Sequence, residues 1–115
     1  MHEMGIAMQI IKIAEAAIPA DLENPRIARI NLRIGKLSAV VPESLRFCME
    51  FAGKDTVLED AELVIEEIPV VAQCHKCDNQ WTITGPVFTC QKCQSGDIEV
   101  LSGRELDVES IELID

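Results

Sequence analysis

The sequence predicts an α+β protein in which two helices lie on one face of a small three-stranded sheet, with a cysteine-containing module inserted before the last strand. Three observations lead to this prediction. Apolar residues recur at helical spacing in two segments, apolar and polar residues alternate in others, and four of the five cysteines form two Cys-x-x-Cys pairs. A chain of 115 residues and 12.7 kDa accommodates one domain with a small module attached.

Two helices are predicted, and the first covers residues 5–18, ending before Pro19. Its apolar residues form two rows at helical spacing, namely Ile6, Ile10, Ile13 and Ala17, and Ala7, Ile11, Ala14 and Ile18. We expect this helix to be mostly covered, because only a weak polar stripe remains. The second helix begins at Pro42 and is capped by Gly53. Its predicted inner face consists of Leu45, Cys48, Met49 and Ala52, with Phe47 and Phe51 beside it and Cys48 as a small buried residue.

Three strands are predicted around these helices. Residues 27–34 alternate, with Ala28, Ile30, Leu32 and Ile34 on one side and Arg29, Asn31 and Arg33 on the other, before Gly35 closes the strand. Residues 61–68 form the second strand, which ends at Pro69, and residues 106–114 form the last. The last strand changes phase between Val108 and Ile111, which predicts a bulge near Glu109 and Ser110.

The charge of the chain narrows the classes of partner. The formal net charge is -10, and residues 55–115 carry fourteen acidic but only three basic side chains. An acidic chain is a poor match for nucleic acid or an anionic membrane, because both require a basic surface. No apolar stretch approaches the length of a membrane span and no signal peptide is evident, so a cytoplasmic protein is expected.

Four cysteines form the strongest motif of the sequence. Cys74 and Cys77 make one pair and Cys90 and Cys93 make the other, with twelve residues between the pairs. Two such turns can complete a tetrahedron of thiolates around one ion, which predicts a structural zinc site with no open position for catalysis. The intervening segment suits a β-hairpin, with residues 81–84 as one arm and residues 87–89 as the other.

Other interpretations of the module stay open at this point. Iron also occupies four-cysteine sites, and zinc ribbons occur in nucleic-acid-binding proteins, although Lys76 and Lys92 do not make this module basic. His75 lies inside the first pair and is interpreted as an exposed residue, with a substitute ligand or a pH-sensitive neighbour of the site as alternatives.

The N-terminus offers a second set of metal donors. The α-amine of Met1, the following amide nitrogens and the imidazole of His2 can surround one ion in a plane, which suits Ni(II) or Cu(II) better than zinc. A histidine at position 2 also occurs by chance, in which case its side chain simply points into water.

Taken together, Met1-His2-Glu3, Gly35 and the two cysteine pairs before an acidic last strand resemble the HypA/HybF family of nickel metallochaperones of nickel–iron hydrogenase maturation. The resemblance covers essentially the whole chain. It implies a nickel-binding α/β domain of residues 1–70 with 102–115 and a zinc-ribbon domain of residues 71–101. It also implies nickel ligands from Met1, His2 and Glu3, with His2 as the principal ligand and Glu3 as a supporting or alternative one, and zinc held by Cys74, Cys77, Cys90 and Cys93.

The same resemblance implies a carrier of Ni(II) that is not an enzyme. Its expected partners are the GTPase HypB and the hydrogenase large-subunit precursor, and some members also serve urease. Four positions depart from the family pattern. Gly5 stands where serine is frequent, and Val41 stands near a carboxylate that assists nickel in some members. Asp78 and Gln94 follow the cysteine pairs where some members have histidine. The alternative function is a zinc-ribbon interaction adaptor without nickel transfer, and a metal-dependent hydrolase is disfavoured because no open ligand set, nucleophile elbow or phosphate loop is present.

Overall fold

A computed structural model of the chain describes residues 3–114. The elements in chain order are α1 (Glu3–Ala17), β1 (Ile27–Gly35), α2 (Pro42–Ala52), β2 (Glu62–Ile68), β3 (Val70–Cys74), β4 (Gln80–Ile83), β5 (Ile98–Ser102) and β6 (Leu106–Leu113). The predicted order of helix, strand, helix, strand, module and strand is confirmed. The strands β3 and β5 at the two ends of the module were not predicted.

The chain forms two compact units. The first unit contains Met1–Arg33, Ala39–Glu66 and Asp107–Asp115, and the second contains Ile34–Ser38 and Glu67–Leu106. One three-stranded sheet has the order β2-β1-β6, and the other has the order β4-β3-β5. The second unit therefore extends a few residues beyond the cysteine-bearing segment on both sides and includes the turn after β1.

The core of the first unit lies between the two helices and one face of the first sheet. Its buried side chains are Ile6, Ala7, Ile10, Ile11, Ala14, Ile27, Ile30, Leu32, Leu45, Met49 and Leu58. In β1 the buried side chains are Ile27, Ile30, Leu32 and Ile34, whereas Ala28 is exposed. The expected inward position of Ala28 is wrong, because the alternation of β1 is interrupted between Ile27 and Ile30.

Both helices leave large apolar side chains in solvent, contrary to the sequence-based expectation. On α1, Met8 and Ile13 are 53% and 52% exposed, so this helix is only half covered. On α2, Phe47 and Phe51 are 69% and 65% exposed, and Cys48 is only half-buried. Since Phe47 is two residues from both Leu45 and Met49, it lies about 200° around the helix from each and points away from the core.

The opposite face of the first sheet carries an ion-pair ladder centred on β1. Arg29 contacts Glu62 of β2 at 2.9 Å, and Arg33 contacts Glu66 of β2 at 3.8 Å. Because these partners advance in the same direction along both strands, β1 and β2 run parallel, with α2 as the crossover between them. Toward β6 the order is reversed, since Arg29 contacts Glu112 and Arg33 contacts Glu109, so β6 runs antiparallel to β1.

The second unit is built on β3. This strand pairs antiparallel with β4, with Val70 opposite Ile83, and antiparallel with β5, with Cys74 opposite Ile98. The hairpin predicted between the cysteine pairs is wrong, because residues 81–83 belong to β4 and pair with β3, while residues 87–89 form no strand. The strand that leads into the first cysteine pair is therefore paired with the strand that follows this pair.

Two glycines allow close backbone approach in the second unit. A Cβ atom added to Gly35 would lie 2.0 Å from the carbonyl oxygen of Gly103. Gly103 itself has φ 117°, a conformation that L side chains rarely adopt. The Gly35 N–H donates to the Glu105 carbonyl at 2.7 Å, and the Leu37 N–H donates to the Gly103 carbonyl at 2.7 Å. Gly35 therefore closes the first strand, as predicted, because another backbone segment passes directly over it.

Among residues 3–114, neither helix combines the length and the apolar character that would be needed to cross a lipid bilayer.

Candidate metal centre

The two cysteine pairs converge on one point of the second unit. The sulfur atoms of Cys74, Cys77, Cys90 and Cys93 all lie within 4.8 Å of one another. The Sγ atoms of Cys74 and Cys93 are 3.5 Å apart, as are those of Cys77 and Cys90. A zinc–sulfur bond of about 2.3 Å in a tetrahedron requires sulfur atoms about 3.8 Å apart, so this spacing suits a zinc ion.

The backbone builds the same turn around each cysteine pair. The Cys74 N–H donates to the Asn79 carbonyl at 2.8 Å, and the Asp78 N–H donates to the Cys74 carbonyl at 3.0 Å. In the second turn, the Cys90 N–H donates to the Ser95 carbonyl and the Gln94 N–H to the Cys90 carbonyl, both at 2.8 Å. The residue after each pair has positive φ, 60° at Asp78 and 66° at Gln94. This left-handed residue reverses the chain, which lets both sulfurs of a pair face inward.

Each turn contributes one buried and one exposed cysteine. Cys74 and Cys90 are completely buried, whereas Cys77 and Cys93 are exposed. The Lys76 N–H points at Cys74 Sγ at 3.4 Å, and the Asn79 amide points at Cys90 Sγ at 3.8 Å. Such donors stabilise thiolates and orient them toward a metal.

The electrostatics of the buried cysteines favour the metal-binding thiolate form. Backbone N–H groups, chiefly that of Cys77, lower the pKa of Cys74. Burial acts to raise the pKa of Cys90, but hydrogen bonds from the backbone of Cys93 and Lys92 bring it down to about 6. Because the thiolate and not the thiol binds metal, the lowered pKa values of Cys74 and Cys90 favour coordination.

His75 lies beside the sulfur cluster but is not part of it. Its Nδ1 is 3.1 Å from Asp97 and its Nε2 is 3.1 Å from Glu99, so both ring nitrogens face carboxylates of the opposite turn and β5. Hydrogen bonds, first to Glu99 and then to Asp97, raise the pKa of His75 above its ordinary value. With both nitrogens engaged, the interpretation of His75 as a substitute ligand loses its support, and the ring instead links the first turn to β5.

The donor set distinguishes among the possible ions. Four thiolates favour soft or borderline metals such as zinc or iron and disfavour calcium and magnesium, which take oxygen ligands. Among the described residues, these four cysteines form the one group of three or more His, Cys, Asp or Glu side chains that is close enough to hold a metal ion. The second unit has four basic and five acidic side chains, so it lacks the basic surface of a nucleic-acid-binding ribbon.

The predicted nickel site falls largely outside the described part of the chain. Met1 and His2 are not among the described residues, and only Glu3 can be placed. Glu3 is the first residue of α1, and its Oε2 accepts a 3.4 Å hydrogen bond from the Val41 N–H, just before α2. A Cβ atom at Gly5 would meet nothing within 4 Å, so the space beside the first turn of α1 is open.

One part of the metal centre had no clear sequence signal. The donors to the buried cysteines are the backbone N–H of Lys76, at a variable position of the first Cys-x-x-Cys motif, and the side chain of Asn79, outside that motif. The available signal was positional, since Asn79 and Ser95 both follow the second cysteine of a pair by two residues and close equivalent turns.

The fold and the four-thiolate centre define a small α+β metal-binding protein with a module of the zinc-ribbon type. A family model described as "Hydrogenase/urease nickel incorporation, metallochaperone, hypA" matches residues 1–113, and the chain belongs to this HypA family. The resemblance stated from the sequence is therefore confirmed.

Relatives and solved structures agree with this assignment. The chain is 61% identical to the hydrogenase maturation factor HypA of Desulfosudis oleivorans over 98% of each chain. It is 55% identical to the factor of the same description from Desulfatibacillum aliphaticivorans, over 100% of this chain and 88% of the relative. Its fold is similar to the solution structure of the nickel metallochaperone HypA from Helicobacter pylori, with a TM-score of 0.67 and 25% identity over 99% and 98% of the two chains.

Proposed function

We propose that this protein binds one Ni(II) ion at its N-terminus and delivers it for the maturation of nickel–iron hydrogenase. The ligands in this proposal are the amine of Met1, the imidazole of His2 and the amide nitrogens of His2 and Glu3. The observation that carries the proposal is the family match, which begins at residue 1 and so includes this tripeptide. A set of nitrogen donors in one plane is the arrangement that Ni(II) prefers.

The start of α1 supports the proposed ligand set. The first four N–H groups of a helix have no carbonyl partner within the helix, and α1 begins at Glu3. The amide of Glu3 is therefore not committed to the hydrogen bonds of the helix. The Glu3 carboxylate accepts a hydrogen bond from the Val41 N–H, which favours a supporting role for this side chain over direct coordination of nickel.

The rest of the molecule fits a carrier better than a catalyst. In the proposal zinc is held by Cys74, Cys77, Cys90 and Cys93 and has a structural role, because four thiolates leave no position for a substrate. The partners are the GTPase HypB and the hydrogenase large-subunit precursor in the cytoplasm, and the family description implies urease maturation as a second destination.

The decisive experiment is a nickel titration of the untagged protein, because a tag at the N-terminus would destroy the amine position. We expect one tight Ni(II) equivalent for the wild type and a loss of about 100-fold or more in affinity for His2→Ala, since a principal nitrogen ligand is removed. A variant with four glycines before Met1 should lose a similar factor although His2 is retained, because its α-amine then lies too far along the chain to share one ion with the His2 imidazole.

The matched control is His75→Ala, since the chain has only two histidines. This variant should bind nickel as the wild type does, with its zinc content measured in the same sample. Equal nickel affinities for the wild type, His2→Ala and the extended variant would contradict the carrier function and favour a zinc-ribbon interaction adaptor.

A further inference from the structure

The outward face of α2 carries two exposed phenylalanines. Phe47 and Phe51 are 69% and 65% exposed and are separated by four residues, so their rings are neighbours on the helix surface. The chain has only three phenylalanines and one tryptophan. Single exposed apolar residues are normal, but a pair of adjacent aromatic rings pointing into solvent is an informative feature of a small protein.

The core of the first unit does not account for this pair. Leu45 and Met49 supply the buried face of α2, and both phenylalanines lie on the far side of the helix from them. The two rings are also not among the donors proposed for zinc or nickel. Aromatic side chains are enriched at the energetic centres of protein interfaces, where covering them returns the free energy lost by exposing them.

The charges around the two rings indicate what kind of surface would cover them. Glu43 and Glu50 are exposed on the same side of α2, one turn before Phe47 and three residues after it. The Lys54 ammonium lies 5.9 Å from the centroid of the Phe51 ring, which is a cation–π distance. Lys54 thus already supplies one cation to the Phe51 ring, and since the two carboxylates outnumber it, the surface favours further cationic groups.

The net charge of the first unit separates a foreign partner from a second copy. This unit contains fifteen acidic and six basic side chains. Pairing two copies through α2 would bring two strongly acidic bodies within a Debye length of each other, which opposes association. An anionic lipid surface is repelled for the same reason.

We propose that the outward face of α2, centred on Phe47 and Phe51, is a docking surface for a partner protein that presents apolar side chains bordered by lysine or arginine. Because Phe47 and Phe51 are 69% and 65% exposed, covering both rings would bury roughly 100–170 Å² for each, a small part of the roughly 1,200–2,000 Å² of a stable interface. The rings thus form the centre of an interface suited to a transient encounter. The proposal goes beyond nickel binding, because it concerns a surface that holds no nickel donor.

The test uses the full chain loaded with zinc and free of nickel, so that its outcome is independent of the nickel site. The probe is a fluorescent helical peptide of 18 residues with leucine on one face and lysine on the other, measured by fluorescence anisotropy. We expect the wild type to bind it about tenfold or more tightly than the double variant Phe47→Ser/Phe51→Ser. A scrambled peptide of the same composition, without an apolar face, should bind both proteins equally.

Two further variants control for general surface effects. Met8→Ser/Ile13→Ser removes two apolar side chains of α1 that are about half exposed, and it should leave peptide affinity within about twofold of the wild type. Glu43→Lys/Glu50→Lys keeps both rings and should weaken binding about tenfold or more, which tests the charge requirement even if the serine variant folds poorly. Thermal unfolding and zinc content establish that each variant is folded.

Three outcomes would overturn the proposal. The first is equal binding of the amphipathic peptide by the wild type and both α2 variants. The second is a wild-type dimer in sedimentation that becomes monomeric in the double serine variant, which would identify a second copy as the occupant. The third is binding of the wild type, but not the variant, to neutral phosphatidylcholine vesicles, which would identify a lipid surface.

Discussion

At the scale of single residues, β1 shows how one arginine organises the open face of the first sheet. The Arg29 Nη1 atom donates to Glu112 at 2.9 Å, and its Nε atom donates to Glu62 at 2.9 Å. Asn31 adds a hydrogen bond to Glu112 at 3.1 Å. These contacts are solvent-exposed, so their value lies mainly in aligning β1 with its two neighbours and only modestly in stability.

The Glu112 carboxylate gives this face a pH dependence. Hydrogen bonds from Asn31 and then Arg29 lower the pKa of Glu112. A carboxylate with a lowered pKa in the folded state contributes stability above its unfolded pKa of about 4.3, and this contribution is lost as pH falls through the folded value. We therefore expect Glu112→Gln to lower the melting temperature at pH 7 and to make it less sensitive to acid below about pH 4.3.

Thermal unfolding of the wild type and variants from pH 7 to pH 3 provides the measurement. Glu66→Gln is the matched control, because Glu66 faces Arg33 at a longer distance of 3.8 Å and should change the melting temperature less. Identical pH profiles for the wild type and Glu112→Gln would show that this carboxylate does not contribute to acid sensitivity.

At the scale of elements, the turn after β1 depends on the absence of a side chain. A Cβ atom on Gly35 would lie within 2.6 Å of three backbone atoms of Gly103 and Arg104. Backbone atoms cannot move aside as a flexible side chain can, so the strand end and the segment before β6 must both shift if Gly35 is replaced.

We expect Gly35→Ala to destabilise the protein by about 1–3 kcal/mol or more, as overpacked sites do. Urea denaturation of the zinc-loaded protein measures this. The control Gly5→Ala adds the same methyl group to open space in α1 and should be neutral or stabilising by up to about 1 kcal/mol. Equal stabilities of the two variants would mean that the backbone over Gly35 is less closely packed than the structure shows.

At the scale of the whole molecule, the two units rely on different sources of stability. The first unit has a helix-on-sheet core, whereas the buried hydrophobic side chains of the second are few: Ile34, Ile68, Val70, Ala72, Cys74 and Cys90. Two of these six are proposed zinc ligands. A module with so small a core needs a metal to stabilise it, and structural zinc sites supply free energies of about 10–16 kcal/mol in small peptides.

Removal of zinc with a strong chelator should therefore unfold the second unit selectively. Hydrogen exchange is expected to accelerate strongly in β3, β4 and β5 while α1 and α2 keep most of their protection. Cys48→Ser is the matched cysteine control, since Cys48 is outside the sulfur cluster, and it should retain one zinc ion and normal protection. Unchanged exchange in β3–β5 after complete zinc removal would contradict a structural role for the ion.

The sequence by itself determined the features of this protein that depend on local spacing. Helical periodicity located α1 and α2, and alternation located β1. The Cys-x-x-Cys pairs identified the four cysteines that converge, because two cysteines three positions apart can bind one ion from a single tight turn. The tripeptide at positions 1–3 supported a resemblance that the family match confirms, although its metal ligands stay a prediction.

Only the tertiary structure decided the features that depend on distant partners. β3 and β5 are short segments that become strands by pairing with each other, and their sequences carry too few residues to show it. The outward position of Phe47 and Phe51, the two carboxylates on His75 and the backbone over Gly35 follow from which elements pack together. The physical reason is that periodicity is a property of one segment, whereas burial and pairing are properties of two.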